Sequence, residues 1–192
     1  AIFDCDGTLV DSQANIVVAM EHAFNSANER PPLPEQTRRT VGLSPFEAMR
    51  VLHPAGTDDD HALLVEKYKQ AFLALRGNGA VQEPLYDGIA ELLDRLRDDG
   101  WLLGVATGKS DRGLQRCLTH HGLEKHFITL QTADRHPSKP HPSMIEPALY
   151  DAGAAPEKTV MIGDTVYDVS MGNAAGCVSI GVAWGYHPPE EL

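Results

Sequence analysis

The order of the apolar runs constrains this chain most. From residue 101 onward, short continuous apolar segments alternate with segments of helical periodicity. Strands are read at 101–106, 127–130, 159–163 and 177–183, with helices at 111–121, 142–153 and 165–175 between them. A helix with Ile89, Leu92, Leu93 and Leu96 on one face comes just before. Strands alternating with helices of this length are βαβ units, and βαβ units build a parallel sheet. Ala1-Ile2-Phe3 is one more apolar run, stopping at an acidic, glycine-containing turn, and reads as the end of a strand. Residues 14–80 hold no convincing strand. Asp11 or Ser12 can cap a helix there through Ile16, Val17, Met20 and Phe24, which Arg30-Pro31-Pro32-Leu33-Pro34 breaks. Helices are expected to follow at about 35–41, 45–53 and 58–76, and Gly77-Asn78-Gly79 to end the stretch. The expectation is an α/β protein with a parallel-sheet core of residues 1–13 and 81–192. A helical insert of residues 14–80 interrupts it after the first strand.

Composition narrows the function classes. At 192 residues the chain is one domain, or one domain with an insert, and can bury a core without disulfides. Its 27 acidic against 16 basic residues give a net charge of −11. A general nucleic-acid binder needs a basic face, so no nucleic-acid partner is expected. No apolar run approaches the ~20 residues that span a bilayer, so no membrane partner is expected either. Asp4 and Asp6 stand where a signal peptide would be basic and then greasy. Cys5, Cys117 and Cys177 are odd in number and show no metal spacing, which suits a reduced, cytoplasmic setting.

Four short motifs carry candidate chemistry. Asp4-Cys5-Asp6-Gly7-Thr8 follows the first strand, and Gly7 lets the chain turn sharply there. Residues two apart share a strand face, so Asp4 and Asp6 meet at the carboxyl edge, where open α/β sheets place ligands. Cys5 points the other way, into the core. Thr107-Gly108-Lys109-Ser110 ends a strand and opens a helix, a ready phosphate cradle. Ser138-Lys139-Pro140-His141-Pro142 holds Lys139 in a proline-flanked loop. Gly163-Asp164-Thr165-Val166-Tyr167-Asp168 places two acids four apart where a helix begins. Each has a plainer reading: a solvated acidic turn, a Ser110 N-cap, a surface lysine, acids favoured by a helix dipole. Together they differ, because a parallel sheet brings all four to one edge. Gathered carboxylates repel by roughly 4 kcal/mol per close pair at an effective dielectric near 20, so a cation is required. Hard carboxylate oxygens favour Mg²⁺.

In this order the motifs resemble those of the haloacid dehalogenase superfamily, over essentially the whole chain, with the closest likeness to phosphoglycolate phosphatases. The resemblance implies a Rossmann-like core with a C1-type cap made by the insert. It implies that Asp4 attacks phosphorus and that Asp6 acts as acid and then base. It implies that Thr107 and Lys139 hold and neutralise the phosphoryl group. Mg²⁺ is implied at Asp4, the Asp6 carbonyl and Asp164, with Asp168 holding metal-bound water or orienting Lys139. The acid at Asp6 favours phosphate-ester chemistry over dehalogenation. Gly108 and Lys109 are further candidates for substrate contact, although a solvent-facing Lys109 is an equal reading. From the insert, Arg39, Gly42 and Ser44 are candidates, the alternative being solvated Arg38 and Arg39 and a plain helix start at Ser44. The family pattern also places the true start of the first strand before Ala1, and a further strand and helix after Pro189.

The expected function is therefore a Mg²⁺-dependent phosphatase acting on a small phosphorylated metabolite, phosphoglycolate-like or a sugar phosphate. Its expected state is a monomer or homodimer. The competing readings are a phosphomutase of the β-phosphoglucomutase type and a non-catalytic phospho-acceptor or binding protein.

Overall fold

The structure, a computed structural model, describes residues 1–77, 79 and 83–192. A five-stranded parallel sheet forms its centre, in the order β3-β2-β1-β4-β5. The strands are β1 (Ile2–Phe3), β2 (Leu103–Thr107), β3 (Phe127–Thr132), β4 (Val160–Gly163) and β5 (Val178–Gly181). β1 pairs with β2 through Ile2↔Gly104 and with β4 through Ile2↔Met161. The chain thus turns from one side of β1 to the other, the kind of switch point at which open sheets bind ligands.

Both faces are covered, as a parallel sheet requires. Helices α5 (Ile89–Asp98) and α6 (Asp111–His121) cover one face, where Ile89, Leu93, Leu114 and Leu118 pack on Phe3, Leu103 and Val105. Helices α7 (Ile145–Ala152) and α8 (Val166–Ala174) cover the other, where Met144, Ile145, Ala148 and Met171 pack on Ile2, Ala106 and Met161. The alternation of Ile2 and Phe3 between the two clusters is the period-two rule of a strand. Cys5 joins the first cluster, and its Sγ lies 3.9 Å from that of Cys117.

Helices α1 (Gln13–Ser26), α2 (Pro34–Arg38), α3 (Pro45–Leu52) and α4 (Asp58–Gly77) form a separate layer. Its own small core is Met20, Phe24, Met49, Leu64 and Val65. The expected division between residues 80 and 81, and Asn78 of the expected break, lie outside the described residues. Among the described residues no helix is long and apolar enough to cross a membrane.

Several boundaries differ from expectation for local reasons. Pro34, read as part of a breaker, opens α2, because a first-turn residue has no intrahelical use for its N–H. Trp101 and Leu102, read as strand, are half exposed; the ladder with β1 starts only after them, with Gly104 N–H donating to the Ala1 carbonyl. The helix expected from 142 begins as a 3₁₀ turn, Pro142–Met144, before α7. Ser12 stands at the N-cap of α1 but makes no cap bond. Its hydroxyl is drawn instead to Asp6.

Candidate active site

The carboxyl ends of β1, β2 and β4 converge, and their loops carry the acids. Gly7 and Gly185 let two backbones pass against Asp164, since a Cβ at either glycine would collide with its carboxyl group or Cβ. Asp4, Asp164 and Asp168 each offer an oxygen within 4.8 Å of the others, and all are buried. Lys139 reaches into this group from its loop, where the Lys139–Pro140 peptide is cis. Its Nζ donates to Asp4 Oδ1 at 2.7 Å and to Asp168 Oδ1 at 2.6 Å. The other Asp168 oxygen accepts from Thr165 N–H at 3.0 Å and Thr165 Oγ1 at 2.7 Å. Asp164 Oδ1 accepts from Thr8 Oγ1 at 2.9 Å, and Oδ2 from Tyr186 N–H at 2.9 Å. Asp4 Oδ2 is buried with no hydrogen-bond partner among the described residues.

Burial dominates the electrostatics. It pushes the Asp4 carboxyl up to about 7, with Lys139 opposing and Asp168 adding to the rise. Burial, then Asp4 and Asp168, raise Asp164 well above the usual carboxylate range. Burial works against the charge on Lys139, but Asp168 and Asp4 outweigh it and hold the ammonium above its ordinary value. One lysine among three acids leaves net negative charge without water to disperse it.

A second network surrounds Asp6. Its Oδ1 is held by Ser12 Oγ and by Lys109 Nζ at 2.6 Å. Lys109 Nζ also meets Glu83 Oε1 at 2.9 Å, and Glu83 Oε2 meets Arg76 of α4 at 2.9 Å. The solvent-facing reading of Lys109 does not hold: its side chain is 10% exposed and lies between two acids. Burial opposes its charge, yet Asp6 and then Glu83 keep it raised well above the ordinary lysine range.

Asp4 and Asp6 open into a cavity of about 440 Å³. Gly42, Ser44, Thr107, Gly108 and Lys109 also line it, together with α1 and α4. Thr107 Oγ1 accepts from Lys109 N–H at 3.2 Å, and Ser110 caps α6 by accepting from Gly113 N–H at 3.1 Å. The 40–44 loop is seated on the core. Ser44 N–H donates to Ser138 Oγ at 2.8 Å, and Gly42, at φ +99°, packs on Thr165. Arg39 is turned elsewhere. It pairs with Glu191 at 2.8 Å on the surface and is not among the residues lining the cavity, unlike the substrate-contacting arginine expected. Its carbonyl accepts from Tyr167 OH at 3.1 Å.

Residues 1–182 match the family model of haloacid dehalogenase-like hydrolases. The chain belongs to that family. Among curated relatives, it is 34% identical over 190 residues to the tyrosine-protein kinase PtkA of Mycobacterium tuberculosis, covering 96% of this chain and 62% of that protein. It therefore spans less than two thirds of that relative's length. It is 35% identical to the probable phosphatase IndB of Dickeya dadantii, across 100% of this chain and 84% of the relative. The crystal structure of a predicted phosphatase from Clostridium acetobutylicum superposes with a TM-score of 0.86 at 28% identity, covering 100% of this chain and 87% of that one.

In this haloacid dehalogenase-like hydrolase, four site residues escaped the sequence reading: Thr8, Ser12, Glu83 and Tyr186. Thr8 and Ser12 stand in or beside the first motif, so proximity to Asp6 was an available signal. Glu83 and Tyr186 had none, because their partners are distant in sequence.

Proposed function

We propose that this protein hydrolyses phosphate monoesters of small metabolites through an aspartyl phosphate on Asp4, with Mg²⁺ and with residues 14–80 acting as a cap. The observation that carries this reading is the state of the Asp4 carboxylate. One oxygen is fixed by Lys139, while the other is buried with no partner. A buried acceptor left unsatisfied is costly, so such a group marks a place where something binds or reacts.

The residues fit a hard divalent cation. The donors are carboxylate oxygens, and burial and mutual repulsion leave Asp4 and Asp164 in need of positive charge. Asp4 keeps one oxygen free, and Asp164 accepts only from the neutral Thr8 hydroxyl and Tyr186 amide. One Asp168 oxygen is instead held by the Lys139 ammonium and the other by Thr165, so direct contact would fall to Asp4 and Asp164, with the Asp6 carbonyl. When bound, Mg²⁺ supplies the charge that keeps Asp4 ionised and offsets charge on the phosphoryl group.

The chain's own groups then divide the work. Asp4 Oδ2 attacks phosphorus, and the bond to the leaving alcohol breaks as Asp6 gives that oxygen a proton. Asp6 Oδ1 is taken by Ser12 and Lys109, so the proton travels on Oδ2. Asp6 next takes a proton from water, whose oxygen attacks the phosphorus. Phosphate leaves and Asp4 is restored. Thr107 offers a hydroxyl proton to a phosphoryl oxygen, and Lys139 holds Asp4 in line. The seated 40–44 loop excludes water while the intermediate stands.

The test is phosphate release from a panel of metabolite phosphates with Mg²⁺ or EDTA, with Asp4→Asn beside the wild type. Metal-dependent release that is lost in the variant supports the reading. Full activity in Asp4→Asn would remove Asp4 as nucleophile. An isomerised sugar phosphate without free phosphate would point to a mutase.

A further inference from the structure

We propose that the preferred substrate carries, beyond its phosphoryl group, an apolar body and a second anionic group at its far end. This rests on the phosphatase reading above and concerns the leaving alcohol.

The first observation is size. The cavity of about 440 Å³ has room for about fifteen water-sized atoms at ~30 Å³ each. A phosphoryl group takes only a minority of them, and a two-carbon alcohol leaves much of the rest empty. The second is the chemistry of the walls. Met20 of α1 and Val65, Phe72 and Leu73 of α4 line the space, and Tyr68 stacks edge-on against Phe72 with ring centroids 5.3 Å apart. A uniformly hydroxylated leaving group would lose its hydration against such walls without gaining hydrogen bonds. An apolar or aromatic body gains from them.

The third is a pair of guanidinium groups. Arg112 and Arg116 are four apart on α6, so they share a helix face, and both line the same cavity. The other lining cations have partners: Lys69 pairs with Glu66, Arg76 with Glu83, and Lys109 with Asp6 and Glu83. Arg112 and Arg116 make no ion pair or hydrogen bond to another described residue. Two guanidinium groups open on one cavity wall, where the other lining cations are paired, fit an anion brought by the ligand. Planar guanidinium groups suit a carboxylate or a second phosphate.

The experiment measures kcat/KM with Mg²⁺ on three esters: phosphoglycolate, phenyl phosphate and 3-(4-phosphonooxyphenyl)propanoate. Wild type, Arg112→Gln/Arg116→Gln and Phe72→Ala are compared. The expected order in the wild type is carboxylated aryl ester first, phenyl phosphate second, phosphoglycolate last. In the double arginine variant, the preference for the carboxylated over the plain aryl ester should fall about tenfold. In Phe72→Ala, the preference for phenyl phosphate over phosphoglycolate should fall. Phosphoglycolate as the best of the three, or an unchanged aryl preference in the arginine variant, overturns this proposal and leaves the phosphatase reading standing. Release from none of the esters overturns the phosphatase reading and this proposal with it.

Discussion

Lys139 shows most clearly how single residues hold this site together. It is wholly buried and bonded to two carboxylates, so removing it leaves two acids facing each other without water. Breaking a buried charge pair from one side costs about 3–5 kcal/mol. Lys139→Ala should lower the unfolding free energy in urea by that order and abolish turnover. A variant of native stability would mean that the acids are already neutral in the fold. In the proposed reaction Asp6 separates the two chemical steps. Asp6→Asn should lower turnover of an alkyl phosphate by about 10²–10⁴-fold. On p-nitrophenyl phosphate, whose leaving group needs no proton, it should instead release a rapid burst near one equivalent and then stall as phosphoprotein. Steady release without a burst would count against a role for Asp6 in the second step.

At the scale of elements, the shape of the cavity depends on how the helical layer meets the β2–α6 turn. Gly108 is a point of close approach, where an added Cβ would stand 2.5 Å from the Leu43 carbonyl oxygen and 2.8 Å from that of Gly42. Both neighbours are backbone and cannot swing aside. Gly108→Ala should therefore lift the 40–44 loop and cut kcat. The cost in global stability should stay at the ~1–3 kcal/mol typical of overpacking. Thermal melts and initial rates together check this, and unchanged kcat would show that the loop need not seat. The same junction marks how far the sequence could be read. Strand ends carrying Asp4, Thr107 and Asp164 were legible, because an apolar run followed by glycine and acid is a local pattern. The approach of Gly108 to Leu43 was not, since nothing near residue 108 encodes what lands on it. The solvent-facing reading of Lys109 failed for the same reason: its partners are Asp6 and Glu83, both remote along the chain. Arg39 misled in the opposite sense, for its partner Glu191 lies almost at the other end. Cys5 and Cys117, far apart in sequence, are neighbours in the core.

For the whole molecule, the buried acids tie stability to pH. Asp4 moves from an ordinary 3.8 up to about 7 in the fold, chiefly by burial. Its ionisation is thus harder folded than unfolded. The stability it contributes is full below about pH 4 and is lost as pH rises through about 7. Without divalent cations the melting temperature should carry a component that falls over this window. On the proposed reading Mg²⁺ binds the ionised carboxylates, so its stabilising effect should be larger at pH 8 than at pH 5.5. Equal Mg²⁺ shifts at both values in thermal melts would break the link between these acids and the cation. The sheet order has a consequence in time as well as in space. β1 lies in the middle, with Gly104 on one side of Ile2 and Met161 on the other. Ribosomes deliver a chain from one end, and contacts between distant segments form slowly. The strand that carries Asp4 emerges early yet gains its last neighbour only after β4 has emerged. A nascent chain halted at residue 150 thus holds Asp4 and the residues that line the cavity but lacks Asp164 and Asp168, so the buried acid cluster stays incomplete until synthesis has passed Asp168.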